Sequence, residues 1–390
     1  MVGKTIGRLA MPWKEASAMS LRLEFVLLAL QNDANIRSLC RRFDVSAPTA
    51  YKWIQRYHDG GANALADQSR RPKRNPLQTS AGMEQAILRI RTQHAWGGRK
   101  IHQRLMTLGH RKVPSPSTIT EICRRHGLCD TTSTRHQRDL QRFEAPAPNL
   151  LWQIDFMGDF ALYQGRCYTF TMMDDHSRFS LSLSASANQQ HHTVKSQMQP
   201  TFRRYGLPHR ILADNGGPWG SCGNDGYTKL AAWFFRLGIA LSHSRVCHPQ
   251  TLGKDERFHR TLQYELISRR TFLDHADCQR HYDRWRDVYN CERPHESLQM
   301  AVPASRYLPS HREFPETLPP IEYAQGDIVR KVDDKGTVSV CNRTFKIGCG
   351  FAGYPVALRH TTTDGLFKVF FCQQEIDQIN LKNHLTHPNV

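Results

Sequence analysis

The sequence lacks a long hydrophobic segment. Its strongest apolar run near the N-terminus extends only from Phe25 to Leu30, whereas a membrane-spanning helix needs about 20 mostly apolar residues. No segment joins a charged start, an apolar middle and a small-residue cleavage site, which are the three parts of a secretory signal. These two absences favour an intracellular protein.

Cysteine is present, but it is not arranged for disulfides or for a four-cysteine zinc site. The 11 cysteines are odd in number and scattered from Cys40 to Cys372, and no two of them form a CxxC pair. No HxxxH motif followed by CxxC occurs in the N-terminal third either. We therefore interpret the cysteines as small buried thiols and the histidines of that third as ordinary surface or packing residues.

Negative charge is scarce in the first part of the chain. Residues 1–150 hold 25 Lys and Arg against 11 Asp and Glu, whereas residues 151–390 hold 28 against 24. The net charge of +18 is thus concentrated at the front. A basic region of this size most often binds a polyanion, usually nucleic acid. The alternative is a solvated basic surface without a partner.

Residues 20–75 have the spacing of a helix-turn-helix. Apolar residues recur three or four apart from Leu23 to Leu30, and a second short helix fits Ile36 to Phe43. Ser46 can cap a third helix from Ala47 to His58, which in this fold enters the major groove. The alternative is a plain three-helix bundle. Candidate DNA contacts lie on the third helix and on the basic linker that follows it: Thr49, Lys52, Gln55, Arg70, Arg71, Lys73 and Arg74.

A second helical unit covers residues 80–128. The run WGGRK at 96–100 ends its first helix and begins the next, and Ser115 can cap a third helix that ends at Gly127. Arg99 and Lys100 are its candidate DNA contacts. Residues 129–149, rich in Thr, Arg and Gln, form a predicted linker.

The middle of the chain alternates strands and helices. Three strand-like segments come first, at Leu150 to Gly158, Cys167 to Met173 and Phe179 to Leu183. A helix, a short strand, a helix, a strand and a further helix follow. This is the element order of an α/β ribonuclease H-like fold, which we assign to residues 150–307.

Three motifs in this region carry a family resemblance. LWQID ends at Asp155, ILADNGGPW contains Asp214, and HPQTLGKDERFHRTL contains Glu256. Together with the later run NCERPHESL, they resemble the catalytic core of DDE insertion-sequence transposases and retroviral integrases. The WGGRKI and PSPSTI segments of the second helical unit are similar to such transposases as well. The likeness covers about residues 20–385 and is strongest over 150–307.

The resemblance implies that Asp155, Asp214 and Glu256 are the catalytic residues and the metal ligands. Carboxylates are hard oxygen ligands that suit Mg²⁺ or Mn²⁺. Two ions about 4 Å apart can stabilise both the attacking and the leaving oxygen of a phosphodiester transfer. Three clustered acids repel one another and resist ionisation until metal arrives.

Other aspartates compete for these roles. Asp159 lies on the same predicted strand as the first catalytic aspartate, four residues later, and is expected on the same face of the sheet. We interpret Asp174 and Asp175 as turn residues between two strands. Asp255 directly precedes Glu256, but a helical step of about 100° points it elsewhere, and we favour Glu256.

The helix that carries Glu256 divides into two faces. Phe258, Leu262 and Leu266 repeat every four residues, so they are expected to face the core. The candidate DNA contacts on this helix are Lys254, His259, Arg260 and Gln263. The alternative for these four is a solvated basic face.

The interval between the second and third catalytic acids is longer than is usual in the family. It contains 41 residues between Asp214 and Glu256. We assign the surplus to a glycine-rich loop at residues 220–226. Loops accept insertions cheaply, so we expect the site to tolerate it.

The C-terminal part is predicted to be a small β-barrel over residues 322–385. Prolines between residues 303 and 320 mark a linker, and short β segments follow from Asp327. The segment resembles the C-terminal domain of the same transposases, where it helps to hold DNA. The alternative is a module for stabilisation or dimerisation. The predicted fold is thus multidomain, with N-terminal all-α helix-turn-helix modules, a central α/β integrase core and this barrel.

The resemblance implies a DNA transposase. Such a protein binds the terminal inverted repeats of an insertion sequence, cleaves to expose 3′ hydroxyls and joins them to target DNA. The implied partners are double-stranded DNA and further copies of the chain, at least a dimer, in the bacterial cytoplasm at the nucleoid. Two alternatives stay open: a sequence-specific DNA-binding regulator without catalysis, and a structure-specific nuclease on the same fold.

Overall fold

The computed structural model describes residues 17–67, 78–129, 143–220, 227–243 and 253–382. The chain divides into two units, Met1–Gln78 and Thr79–Val390. Within the described ranges, no helix combines the length and the apolar character that crossing a membrane requires.

The first unit contains the three predicted helices of a helix-turn-helix. Ser17 and Asn35 cap the first two helices, because each side chain accepts a hydrogen bond from a backbone amide three residues later. Phe25, Val26 and Trp53 are buried at the centre of the unit. The helices are α1 (Ala18–Ala29), α2 (Ile36–Arg42) and α3 (Ala47–Gly60).

The second unit opens with another three-helix arrangement, formed by α4 (Ala81–His94), α5 (Gly98–Thr107) and α6 (Pro116–Arg125). Ser115 caps α6 by accepting a hydrogen bond from the Thr118 amide at 3.3 Å. Gly98 permits the close approach of α5 to α6, since a Cβ atom there would lie 2.3 Å from the carbonyl oxygen of Pro116.

A five-stranded sheet forms the centre of the second unit. Its strands are β1 (Trp152–Ala161), β2 (Arg166–Asp174), β3 (Ser180–Ser186), β4 (Arg210–Ala213) and β5 (Ala240–His243). They lie in the order β3-β2-β1-β4-β5. The first three are antiparallel neighbours, whereas β4 is parallel to both β1 and β5. This topology confirms the predicted ribonuclease H-like order.

Helices cover both faces of this sheet. One face packs a core on α7 and α8 that includes Trp152, Phe202 and Phe234. The other face packs on α9 and α10, where Phe258, Leu262 and Leu266 are buried as predicted. The four helices are α7 (His191–Tyr205), α8 (Lys229–Arg236), α9 (Gly253–Glu265) and α10 (His275–Cys291).

A register shift in β1 changes which side chains share a face. Met157 pairs with Thr169 and Phe160 with Cys167, so β1 contains one extra residue between these two pairs. Such a bulge reverses the alternation of side chains beyond it. The prediction that Asp159 lies on the same face as Asp155 is therefore wrong. Asp159 instead forms an ion pair with Arg166 at the surface.

The C-terminal strands form two open sheets. The order β11-β10-β9-β6 makes one, and β7 pairs with β8 in the other. No pairing between β6 and β11 closes a ring among the residues that the structure covers, so the predicted barrel is not confirmed. The strands are β6 (Ile328–Lys331), β7 (Thr337–Val340), β8 (Arg343–Lys346), β9 (Pro355–His360), β10 (Leu366–Phe371) and β11 (Gln374–Asn380).

The C-terminal sheets pack on the domain of the five-stranded sheet through α8. Ala231, Ala232 and Phe235 of α8 belong to the same apolar core as Val356 and Phe371. The contact is close, since a Cβ atom on Gly350 would lie 2.2 Å from the carbonyl oxygen of Tyr227.

Candidate active site

Two neighbouring parallel strands bring Asp155 and Asp214 together. In the β1–β4 pair, Trp152 faces Ile211 and Gln153 faces Leu212. Continuing the same offset along both chains sets Asp155 beside Asp214, which directly follows β4. Adjacent strands lie about 4.8 Å apart, so the register itself makes the two acids neighbours.

Backbone contacts hold Asp214 at the end of its strand. Its Oδ1 atom accepts a hydrogen bond from the Gly216 amide at 3.1 Å. Its carbonyl oxygen accepts one from Nδ1 of His243 at 2.7 Å. His243 is the last residue of β5 and pairs with Ala213 in the sheet, so both neighbouring strands define the position of Asp214.

The environment of Asp155 strongly perturbs its carboxyl group. Burial and the charge of Asp214 raise the pKa of its carboxyl group to about 7, and the charge of Glu256 adds to the rise. A hydrogen bond from the Phe156 amide to Oδ1, at 2.8 Å, opposes it. All three predicted acids are therefore within electrostatic reach of one another.

Glu256 and Asp255 differ sharply in exposure. Glu256 is exposed on the first turn of α9, whereas Asp255 is fully buried. Among the described residues, neither carboxyl oxygen of Asp255 has a hydrogen-bond partner. Burial, together with the charges of Asp155 and Asp175, raises the pKa of Asp255 well above its ordinary value. The prediction that Asp255 and Glu256 point in different directions is confirmed.

His259 lies against Asp155 as a neutral imidazole. Its Nε2 atom is 3.0 Å from Oγ1 of Thr171, which itself donates to the carbonyl oxygen of Asp155 at 3.1 Å. The hydroxyl has one proton to give, so Nε2 is the donor to Thr171. Burial lowers the pKa of His259 to about 4. Its Nδ1, 3.8 Å from Oδ2 of Asp155, therefore forms no ion pair at neutral pH.

Lys254 and Asp175 form a buried ion pair that the sequence did not indicate. Asp175 also accepts hydrogen bonds from the Ala145 amide at 2.7 Å and from Nε2 of Gln153 at 2.6 Å. One carboxylate thus ties the chain before β1, β1 itself and the start of α9 together. Sequence reasoning missed it because its partners lie far apart in the chain.

Asp174 has a similar internal role. Its carboxylate accepts hydrogen bonds from the amides of Asn149 and Ser177, both at 2.8 Å, and from the Ser177 hydroxyl at 2.6 Å. The predicted turn is present after β2. Both turn aspartates are fully buried, so they anchor the turn to the interior as well.

The carboxylates suit a divalent cation by their chemistry. Asp155, Asp214 and Glu256 are hard oxygen donors, and burial together with the negative charges of Asp214 and Glu256 raises the pKa of Asp155. Across the described residues, no group of three or more acidic, cysteine or histidine side chains already converges as a ligand set. The oxygen donors thus fit a metal site by their chemistry. Their side chains lie farther apart than the ligands of a bound ion would.

The candidate DNA contacts of the N-terminal helices divide by exposure. Lys52 and Gln55 are exposed on α3 and Thr49 is half-buried. Arg99 is exposed, whereas burial lowers the pKa of Lys100 to about 8. The predicted contacts of the basic linker lie outside the described residues: Arg70, Arg71, Lys73 and Arg74.

The four candidates on α9 also divide. Arg260 and Gln263 are exposed. Lys254 and His259 have the protein partners described above and are largely buried, with 17% and 12% of their side chains exposed. The structure thus presents two of the four at the surface.

Family models match most of the chain in sequence order. A helix-turn-helix domain matches residues 21–73 and a homeodomain-like domain matches residues 49–123. Two integrase core domain models match residues 145–249 and 237–303. The C-terminal domain of the IS481 family transposases matches residues 327–387.

Curated relatives match less than half of the chain. The Gag-Pol polyprotein of baboon endogenous virus (strain M7) is 27% identical over 190 residues, covering 47% of this chain and 10% of its own length. The insertion element IS407 uncharacterized 31.7 kDa protein of Burkholderia multivorans is 25% identical over 166 residues, covering 43% and 57%. The chain therefore spans little more than half of one relative and a tenth of the other.

A solved structure of the simian T-cell lymphotropic virus intasome, in complex with PP2A regulatory subunit B56 gamma, is also similar. It is 13% identical, covers 76% of this chain and 96% of its own, and has a TM-score of 0.39. The assignment rests on the family models and on the insertion-element relative rather than on this likeness. The order of the family models along the sequence supports the predicted resemblance to insertion-sequence transposases with an integrase-type core.

Proposed function

We propose that the protein is a metal-dependent DNA transposase, with Asp155, Asp214 and Glu256 as its catalytic acids. The observation that carries this proposal is the environment of Asp155. Burial and the charges of the other two acids raise the pKa of Asp155 to about 7. The acids on β1, directly after β4 and on α9 repel one another, and a bound cation would offset this repulsion.

The three carboxylates would hold Mg²⁺ or Mn²⁺, one ion or two, through their oxygen atoms. When bound, such ions supply positive charge for the attacking and leaving oxygens of a phosphodiester transfer. The neutral ring of His259 orients Thr171, which holds the backbone of Asp155. The Lys254–Asp175 pair fixes the start of α9, and therefore the position of Glu256.

The proposed reaction has two steps of the same kind. Water attacks the phosphorus at a repeat end, the bond to the 3′ oxygen breaks, and a 3′ hydroxyl is freed. That hydroxyl then attacks a phosphorus in target DNA, where one ester bond forms as another breaks. Neither step needs a covalent bond to the protein, in keeping with a site built from acids alone.

We infer that the two helix-turn-helix units bind the terminal repeats. The exposure of Lys52, Gln55 and Arg99 supports this, as do the exposed Arg260 and Gln263 for DNA close to the acids. Thr49, Lys100 and the basic residues 70–74 would add contacts, with phosphate contacts making binding weaken steeply with salt. Two DNA ends must be held at once, so the working form is a dimer or larger.

Purified protein with Mn²⁺ or Mg²⁺, labelled repeat ends and a target plasmid tests the proposal. Joining by the wild type but not by Glu256→Gln supports it. Cutting without joining would instead indicate a nuclease. Tight binding to the repeats with neither cutting nor joining would indicate a regulator, and both of these outcomes overturn the proposal.

A further inference from the structure

The second helix-turn-helix, α4 to α6, is docked on the ends of the two helices that lie next to the acids. Its apolar core, built on Ile87, Trp96 and Ile101, includes Val288 from α10. Val288 of the catalytic part thus packs into the apolar core of the three-helix unit. The contact continues through two arginines, one from each side.

Arg269, which follows α9, closes the end of α4. Its Nη2 atom donates to the carbonyl oxygen of Thr92 at 2.6 Å, and its Nη1 atom to that of Gln93 at 3.4 Å. These carbonyls belong to the last turn of α4, where backbone acceptors lack partners within the helix. A cation at this end also interacts favourably with the helix dipole.

Arg104 makes the reciprocal contact from α5. It forms a hydrogen-bonded ion pair with Glu292, the residue that caps the C-terminal end of α10. The side chain of Arg104 is only 20% exposed, so the pair is partly sheltered from solvent. Contacts at the ends of α4, α9 and α10 resist rotation of the unit better than a single contact would.

The docked unit also shares a groove with the catalytic part. Arg99, Lys100, Ser117 and Thr120 line this groove together with Glu296, which follows α10. The start of α5 and the start of α6 therefore line a space that Glu296 of the other part also borders. DNA that follows this groove would touch both.

We propose that this docking surface sets the distance between the DNA bound by the second helix-turn-helix and the bond that is cut. The inference rests on the proposed function. Glu256 lies on the first turn of α9, roughly 14 Å from the end of that helix at 1.5 Å per residue, and Arg269 lies in the short turn that follows. A helix is stiff over this length, so fixing α4 on Arg269 fixes the bound DNA relative to Glu256.

Mapping of the cut position at single-nucleotide resolution tests the proposal. The substrates are labelled repeat ends taken from the DNA that flanks the gene. The test variant carries both Arg104→Ala and Arg269→Ala. Arg280→Ala is the matched control, because the Arg280 side chain is 62% exposed and pairs with Asp277 of the same helix. The exchange Arg104→Glu with Glu292→Arg restores the ion pair with its polarity reversed.

The wild type and the control are expected to cut one bond. The double alanine variant is expected to cut that bond about tenfold more slowly, since small misplacements cost rate steeply, and to cut neighbouring bonds as well. The charge exchange should recover the wild-type position. Thermal unfolding and repeat affinity, measured in parallel, separate a spread of cut positions from loss of folding or binding.

Unchanged cut positions in a folded double variant would overturn the docking proposal and leave the proposed function intact. Loss of all cutting in the double variant with no recovery in the charge exchange would overturn it as well. A wild type that cuts no DNA with either metal would instead overturn the proposed function.

Discussion

Asp255 and Glu256 are consecutive residues of α9, yet Asp255 is fully buried beside Asp155 whereas Glu256 is exposed. The carboxyl group of Asp255 is therefore enclosed by protein, whereas that of Glu256 faces solvent. Only Glu256 is free to reach a substrate or an ion at the surface of the site. Within the described ranges neither oxygen of Asp255 has a hydrogen-bond partner, so its burial destabilises the folded state.

Replacing Asp255 with valine is expected to stabilise the protein. A buried polar group without partners costs about 1–3 kcal/mol, and valine is apolar and of similar size. We expect the free energy of unfolding in denaturant at pH 8 to rise by about 1–2 kcal/mol. Asp255→Asn, which keeps a polar amide, should gain less. A drop in stability for the valine variant would show that Asp255 has a partner that these contacts do not include.

The raised pKa of Asp155 predicts a pH-dependent response to metal. The pKa of Asp155 in the folded protein is raised to about 7 from an ordinary value of 3.8. The folded protein therefore keeps a proton on this carboxyl group at pH values where the unfolded chain has lost it. Because the folded state binds more protons in this range, metal-free stability falls as pH rises from about 4 to about 7. Metal competes with the same proton, so its stabilising effect grows over the same interval.

Thermal unfolding with and without Mn²⁺ measures this effect. We expect Mn²⁺ to raise the unfolding temperature clearly at pH 8 and little at pH 5.5. Asp155→Asn should lose the pH-dependent part of the response. An equal metal effect at both pH values in the wild type would contradict the role of Asp155 as a ligand.

Lys254→Met tests whether this lysine acts inside the protein. Removing one partner of a buried ion pair leaves the other charge without compensation, which costs about 3 kcal/mol. The matched control is Lys368→Met, whose partner Glu375 lies 2.8 Å away in a partly exposed pair and whose loss should cost less than about 1 kcal/mol. Denaturant unfolding measures both. Equal stability of the two variants, with weaker DNA binding for Lys254→Met alone, would favour a DNA contact instead.

Gly98→Ala is expected to disrupt the second helix-turn-helix. The new Cβ atom would meet the Pro116 carbonyl oxygen at 2.3 Å and Oγ1 of Thr120 at 2.5 Å. Overpacking of this kind costs about 1–3 kcal/mol. Gly82→Ala is the control, because nothing lies within 4 Å of its Cβ position and a helical alanine gains up to about 1 kcal/mol. Opposite shifts in the unfolding temperature are expected, and a neutral Gly98→Ala would contradict the tight α5–α6 contact.

Periodicity and motif order were enough to predict the sheet and the positions of Asp155 and Asp214. The same reasoning placed Phe258 and Leu262 correctly, because a repeat of four on one helix identifies its buried face. It failed for Asp159, since a one-residue bulge in β1 leaves no trace in the alternation of the sequence. The predicted DNA contacts on the basic linker lie outside the described residues.

Polar contacts between residues far apart in the chain could not be predicted from the sequence. Asp175 reads as a turn residue, but its partners Ala145, Gln153 and Lys254 come from three other parts of the chain. The docking of Arg269 on α4 was equally invisible, because nothing local shows which carbonyl oxygens a surface arginine will meet. The number of strands alone also could not decide whether the C-terminal strands close into a barrel. In the structure they pair as open sheets.

The most direct test of the central claim compares Glu256→Gln with Asp255→Asn in the joining of labelled repeat ends to a target plasmid. Both changes replace a carboxylate with an amide of the same shape at adjacent positions of α9. We expect Glu256→Gln to abolish joining while repeat binding and folding persist, and Asp255→Asn to retain it. Joining by Glu256→Gln at the wild-type rate, or its loss only in Asp255→Asn, would contradict the assignment of Glu256 as the third catalytic acid.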